Sequence, residues 1–248
     1  MKKERLDDLL LSRGLAPSKA RAQALILAGK VCVGEQRRDK PGERFAADAP
    51  IRVTTKDEWA SRGAYKLLSA LEAFPELTHA IAGAKCLDVG ASTGGFTDVL
   101  LRHGAEAVVA VDVGYGQLVW RLQSDVRVTV MDRTNIRYVT MSDMPFTPSF
   151  ATCDASFIRL RLILPVVFEL LTPGGHFVTL VKPQFEVKGN EVGEGGVVRD
   201  ERLRQRVLHE VIDDAEGIGF QTLGHADSAL AGPKGNREIL LVLQKPGS

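Results

Sequence analysis

The chain has 248 residues, 44% of them hydrophobic and 25% charged, with 32 Lys/Arg against 31 Asp/Glu for a formal net charge of +1. That composition supports a buried core and excludes a disordered chain. No stretch has the length of a membrane span, and the N-terminus has no signal-peptide core, so a membrane or secreted protein is not expected. Cys32, Cys86 and Cys153 lie far apart and are odd in number, so neither a zinc site nor a disulfide framework is expected. They read as small apolar residues of a protein in a reducing cytoplasm. The near-neutral total hides an asymmetry. Residues 1–62 hold 14 Lys/Arg and 9 Asp/Glu, and the remainder holds 18 and 22. A small basic unit precedes a larger acidic one.

The first unit runs from Lys3 to about Val53. Leu6, Leu9 and Leu10 share one face of a short helix ended by Gly14. Pro17 and Ser18 open a second helix, with Ala20, Ala24, Leu25 and Ala28 as its apolar face and Gly29 at its end. Residues 31–33 read as a strand, Gly34 and Glu35 as a turn, and residues 51–53 as a closing strand. Lys19, Arg21, Lys30, Arg37 and Arg38 sit around the second helix and the turn after it. Such a cluster also suits a plain solvated face. Its concentration at a helix start and an adjacent hairpin weakens that reading, because such geometry tracks a phosphate backbone. Aromatic residues make up only 6% of the chain, so base stacking is not the first expectation. This segment, with Arg5, Leu6, Asp7 and Leu10, then residues 18–21 and 28–33, resembles an S4-type RNA-binding domain. The resemblance implies that the five cations hold RNA.

Residues 54–62 are polar and charged around Trp59, and read as a linker in which Trp59 anchors on a neighbouring domain. The domains are expected at 1–60 and 61–248. A helix over 64–74 carries Lys66. Strands follow at 86–89, 107–111, 126–130, 150–153, 176–181, 221–225 and 239–244, and helices at 95–103, 160–171 and 200–218. Strands alternating with helices predict a mostly parallel α/β sheet of Rossmann-like type, covered on both faces.

Residues 86–97 are an apolar strand ending in Asp88, then a turn containing Gly90, Ser92, Gly94 and Gly95, then a helix start. Ligands of open α/β sheets bind at this edge. A triphosphate loop needs Lys after its last glycine, but Phe96 stands there. A dinucleotide turn needs glycine where Ser92 stands, and Asp88 would repel a pyrophosphate. S-adenosylmethionine has no phosphate, and its sulfonium and amino groups are cationic, so a nearby carboxylate helps. Asp112 ends the next strand, where it can accept from ribose hydroxyls, and Asp132 ends the third, near an adenine edge. A single Asp at such a place is most simply a cap or turn residue. Three at successive strand ends favour a ligand.

Asp154 follows one expected strand, Lys182 ends another, Glu238 opens the last, and Lys66 lies on the first helix of the large domain. A Lys at the end of a buried strand needs a partner. Structural ion pairs and a reaction site fit this pattern equally. The large domain resembles the FtsJ-like ribose 2′-O-methyltransferases. The whole chain is similar to the haemolysin-A-type (TlyA) ribosomal-RNA methyltransferases in residues 61–67, 88–98, 111–118, 154–158, 181–186, 195–200 and 234–238. Arg159 and Glu194 depart from that pattern. The resemblance implies Lys66, Asp154, Lys182 and Glu238 as the catalytic set. It implies Asp88, Gly90, Ser92, Gly94, Asp112 and Asp132 as S-adenosylmethionine contacts, and the 2′-hydroxyl of a cytidine in 16S or 23S ribosomal RNA as target. Ribosomal RNA or whole subunits are then the partners. Two other classes compete: a non-catalytic RNA-binding assembly factor, and a membrane-lytic haemolysin, which no amphipathic basic helix supports.

Overall fold

The computed structural model describes residues 3–34, 36–53, 59–232 and 234–247, which form two compact units, Met1–Glu58 and Trp59–Ser248. The small unit contains β1 (Lys3–Arg5), α1 (Leu6–Ser12), α2 (Lys19–Leu27), β2 (Val31–Val33), β3 (Gln36–Arg38), β4 (Arg44–Ala46) and β5 (Ile51–Val53). β1 pairs with β4, and β2 lies between β3 and β5. Ser18 caps α2 by accepting the Arg21 N–H at 3.2 Å. The buried face of α2 is Ala22 and Ile26, not the expected Ala20, Ala24 and Ala28, which are exposed. Ile26 buries more apolar area than any alanine, so it sets which face turns inward. It packs with Leu6, Leu10, Ala16 and Val31.

The large unit contains α3 (Ala64–Ala73), α4 (Glu76–Ile81), β6 (Lys85–Val89), α5 (Gly95–Arg102), β7 (Ala107–Val111), α6 (Trp120–Gln123) and β8 (Val128–Met131). It continues with β9 (Phe150–Cys153), α7 (Leu164–Leu170), β10 (His176–Val181), α8 (Pro183–Glu186), α9 (Glu201–Ile218), β11 (Gln221–Asp227) and β12 (Ile239–Gln244). The expected single helix over 160–171 is a 3-10 turn, Leu160–Leu162, followed by α7, with Pro165 in the first turn of α7. Proline lacks an N–H and fits only there.

The seven strands are ordered β11-β12-β10-β9-β6-β7-β8. Pairings among β10, β9, β6, β7 and β8 are parallel, and β12 runs against both its neighbours. One face of the sheet packs on α7 and α9 through Leu164, Val167, Val207 and Val211. The other packs on α3 and α5 through Leu67, Ala70, Val99 and Leu100. β6 is the switch point: the chain leaves it toward β7 and returns on its other side as β9. The crevice above its carboxyl end is where such sheets bind ligands. Because β12 is reversed, its first residues arrive at that same edge.

The boundary falls at 58/59 rather than the expected 60/61. Residues 54–58 of the expected linker lie outside the described residues. Trp59 is held by the large unit, with the Arg102 guanidinium 4.4 Å above its ring. The Ala60 N–H donates to Asp98 at 2.8 Å. Buried Asp98 also pairs with Arg121 and Arg102. Burial would raise its pKa, but these partners outweigh it and hold the carboxyl below its usual range.

Candidate active site

Four charged side chains from four separate segments meet at the carboxyl edge. Lys66, on the first turn of α3, lies 2.7 Å from Glu238 Oε2 and 3.3 Å from Asp154 Oδ1. Lys182, just past β10, lies 2.6 Å from Asp154 Oδ1. The contacts form one chain, Lys182–Asp154–Lys66–Glu238. The Lys66–Glu238 contact is a close ion pair between a half-buried ammonium and a buried carboxylate. Burial acts to lower the pKa of Lys66, but Asp154 and Glu238 outweigh it and the pKa is raised. Lys182 also donates to the Asp154 carbonyl and to Ser156 Oγ, both at 3.0 Å. Three acceptors match the three N–H groups of an ammonium.

A cavity of about 850 Å³ opens onto this chain, lined by Lys66, Asp154, Lys182, Glu238, the turn residues Gly90, Ala91 and Ser92, and Arg62 and Lys234. A second cavity of about 1010 Å³ shares Gly90, Ser92, Asp154, Ser156 and Phe157 with it and extends to Asp112, Val113, Ile136 and Arg137. The glycine-rich turn is closely packed. Gly90 has φ +78°, and a Cβ there would sit 3.0 Å from the Ala155 backbone. A Cβ on Gly95 would meet Ser61 Oγ at 2.5 Å and the Ala64 nitrogen at 2.8 Å. Glycine at these two positions lets the Asp154 loop and the start of α3 close on the turn.

The expected cofactor residues separate into two groups. Gly90, Ser92 and Asp112 line the cavities. Asp112 accepts the Ser92 N–H at 2.8 Å and the Gly114 N–H at 2.7 Å, so it is aimed by the backbone, with acceptor capacity left over. Asp132 accepts the Gly116 N–H at 2.8 Å and is not among the lining residues. Gly94 is buried beneath Leu118 and Leu122 and also lines neither cavity. Asp88 is fully buried, accepting from Thr97 Oγ1 at 2.6 Å and Thr152 Oγ1 at 2.9 Å. Burial pushes its carboxyl up to about 6. Its place is under the turn, where it ties α5 to β9, and not at the cavity wall. Side chains alternate along a strand, so Asp88 points to the opposite face of the sheet from Val89, which lines the second cavity.

The sequence reading missed Ser156, Phe157, Gln184 and Phe185, which line both cavities. Phe157 is 90% exposed with φ +63°, and its ring lies 4.9 Å from that of Phe185. A bulky residue at positive φ is costly and marks functional loops. No periodicity in the sequence carries that signal.

In the small unit, Arg21 and Arg37 are exposed, and the Arg37 guanidinium donates to the Ala28 carbonyl at 3.3 Å. Lys19 pairs with Asp8 at 2.6 Å. Arg38 lies over the Phe45 ring and pairs with Glu43, so it is packed rather than presented. Lys30 is half-buried. No helix among the described residues is long and apolar enough to cross a membrane.

A seven-stranded sheet with one reversed strand, a glycine-rich turn at its switch point and an acid ending the next strand defines a Rossmann-like nucleoside-binding enzyme. The chain belongs to the FtsJ-like methyltransferase family, whose model matches residues 59–245, and the S4 domain model matches residues 4–49. Among its relatives is a candidate rRNA methyltransferase, YqxC of Bacillus subtilis, 48% identical over 99% of this chain and 87% of that protein. The 16S/23S rRNA (cytidine-2′-O)-methyltransferase TlyA of Mycobacterium tuberculosis is 45% identical over 98% of this chain and 90% of its own. A solved structure of a candidate hemolysin from Streptococcus thermophilus superposes with TM-score 0.76 at 41% identity, covering 100% of this chain and 90% of that one. Methyltransferases of this class take S-adenosylmethionine as donor. The donor set fits it: the Asp112 and Asp154 carboxylates suit hydroxyls and cationic groups, and the turn has no Lys for a phosphate.

Proposed function

We propose that the protein methylates the ribose 2′-hydroxyl of a cytidine in ribosomal RNA, with Lys66, Asp154, Lys182 and Glu238 as its catalytic set. The observation that carries this reading is the unbroken chain of contacts from Lys182 to Glu238 beside the glycine-rich turn. The names of the relatives add the cytidine and the ribosomal RNA. The same target puts the protein's work in the cytoplasm.

S-adenosylmethionine supplies an electrophilic methyl group on a sulfonium that departs as a neutral thioether. Asp112, and the Gly90–Ser92 backbone beside it, would hold the donor. Lys182 meets the target hydroxyl: it exchanges its neutral partner Ser156 for the ribose oxygen and steadies the charge that develops there, while the oxygen–methyl bond forms, the methyl–sulfur bond breaks and the hydroxyl proton passes to solvent water. Asp154 aims Lys182 through its carboxylate and its carbonyl. Lys66 is locked to Glu238 and stops Asp154 from rotating away. Holding oxygen and methyl carbon in line supplies about 7–11 kcal/mol by proximity. Phe157 and Phe185 stand at the rim as a platform for the target base. The S4 domain adds grip on phosphates through Arg21 and Arg37, which makes RNA affinity fall steeply with salt.

The test is methyl transfer to isolated ribosomal subunits, after calorimetry with S-adenosylmethionine. A 2′-O-methylated cytidine that depends on the protein supports the reading. Cofactor binding with no transfer to any RNA would turn it toward an assembly factor, and lysis of liposomes by pure protein toward a haemolysin.

A further inference from the structure

Two stretches of chain form one wall of the cavity that contains Asp112. The first is the loop after Asp154, carrying Phe157, Arg159 and Leu162; the second is α8, carrying Gln184 and Phe185 directly after Lys182. Three contacts stitch them together. The Phe157 and Phe185 rings meet at 4.9 Å. The Arg159 guanidinium donates to the Val187 carbonyl at 3.4 Å. The Leu160 N–H donates to Glu186 Oε1 at 2.8 Å. The last is the shortest, and it joins a charged group to the backbone. The loop needs holding: Phe157 sits at φ +63° while 90% exposed, so its own burial does not stabilise it. The methyl-transfer mechanism above makes no use of Glu186.

We propose that Glu186 is a positioning residue that fastens the loop after Asp154 to the segment after Lys182, and thereby sets the shape of the donor cavity. The inference rests on the reading of that cavity as the S-adenosylmethionine site. An ionised carboxylate is a stronger acceptor than its protonated form. The charged groups around Glu186 are Arg159 and Arg161 on the loop and Asp214 on α9. Burial is the largest influence and pushes the carboxyl up to about 7, against the Leu160 N–H and the two arginines, while Asp214 adds to the rise. The fastening therefore tightens as pH rises through neutrality.

Calorimetric titration of the full chain with S-adenosylhomocysteine between pH 6 and pH 8 tests this without involving the chemistry at Lys182. Wild-type Kd should tighten about fivefold over that range, the equivalent of roughly one hydrogen bond. Glu186→Gln keeps the shape but not the charge, and its Kd should stay flat at the weak, low-pH value. Leu160→Pro removes the donor from the other side, together with the buried Leu160 side chain, so its folding is checked first by circular dichroism. The extended backbone of Arg159, at φ −81° and ψ 139°, accepts a following proline. This variant should reproduce the flat profile, and it keeps the test open if Glu186→Gln fails to fold. Equal affinity and equal pH dependence in wild type and a folded variant would overturn the inference while leaving the methyl-transfer reading intact. A wild-type chain that binds no S-adenosylhomocysteine at any pH would overturn both.

Discussion

Around Lys182 the groups facing the cavity are held by side chains of opposite charge, whereas around Asp112 they are held by backbone N–H groups. The difference sets what each half can tolerate. In the first half Lys182, Asp154, Lys66 and Glu238 pair with one another, the outer two buried and the inner two half-buried, so removing one leaves its partner unsatisfied in a poorly solvated place. In the second half a carboxylate braces a turn that the glycines have already shaped, so its removal loosens contacts without stranding a charge.

The largest effect expected from this contrast is chemical. Lys182→Ala should lower methyl transfer on the order of 10³-fold, the scale for losing a donor to a developing oxyanion. Its affinity for S-adenosylmethionine, measured by calorimetry, should stay nearly unchanged, because Asp112 and the turn do not depend on Lys182. Next comes Lys66→Ala, which strands Glu238, itself 2% exposed. Denaturant unfolding should show a loss of about 3–5 kcal/mol. The pair Lys66→Met with Glu238→Leu should recover most of that stability and none of the activity. Recovery of both would make the cluster structural only.

Asp88 sharpens the contrast, since it is buried like the first half but neutral in its partners. Its carboxyl is raised from 3.8 to about 6, so between those values the folded chain holds a proton that the unfolded chain has lost. Its contribution is full below pH 3.8 and is lost as pH climbs through 6, by about 2–3 kcal/mol. Asp88→Asn should abolish that slope in a pH series of unfolding curves while changing cofactor affinity little. Asp112→Ala, by contrast, should weaken cofactor binding about 10–100-fold, as for the loss of charged hydrogen bonds. The smallest effect belongs to the S4 domain: Arg21→Ala and Arg37→Ala should each reduce the salt slope of RNA binding by about one. Arg38→Ala should leave that slope unchanged and cost stability instead, since Arg38 is packed on Phe45.

The sheet was legible because its strands are nearly continuous apolar runs, as buried parallel strands must be. Strands 107–111, 150–153, 176–181 and 239–244 stand where periodicity puts them. α4, α6 and α8 went unread because four to six residues carry too little periodicity, and α8 opens on a proline directly after a strand. The charged residues of the site were legible for a related reason: a Lys or Asp at the end of an apolar run is conspicuous. What the spacing could not convey is which acid reaches the cavity. Asp88 and Asp112 fall on the same side of the sheet by register, yet Asp88 lies inside its strand and Asp112 just beyond the end of its own, so only Asp112 reaches the cavity. Phe157 and Glu186 belong to irregular turns, where neither period applies, so their roles emerge only from three-dimensional contacts.

In the proposed reaction Lys182 acts on a ribose oxygen in ribosomal RNA. The direct measurement is a map of 2′-O-methylation over both ribosomal RNAs after incubation with S-adenosylmethionine and either wild-type protein or Lys182→Ala. Wild type should give a protected 2′-O-methyl position at cytidine, and the variant none. A methyl group on a base, or the same 2′-O-methyl signal from Lys182→Ala, would contradict it.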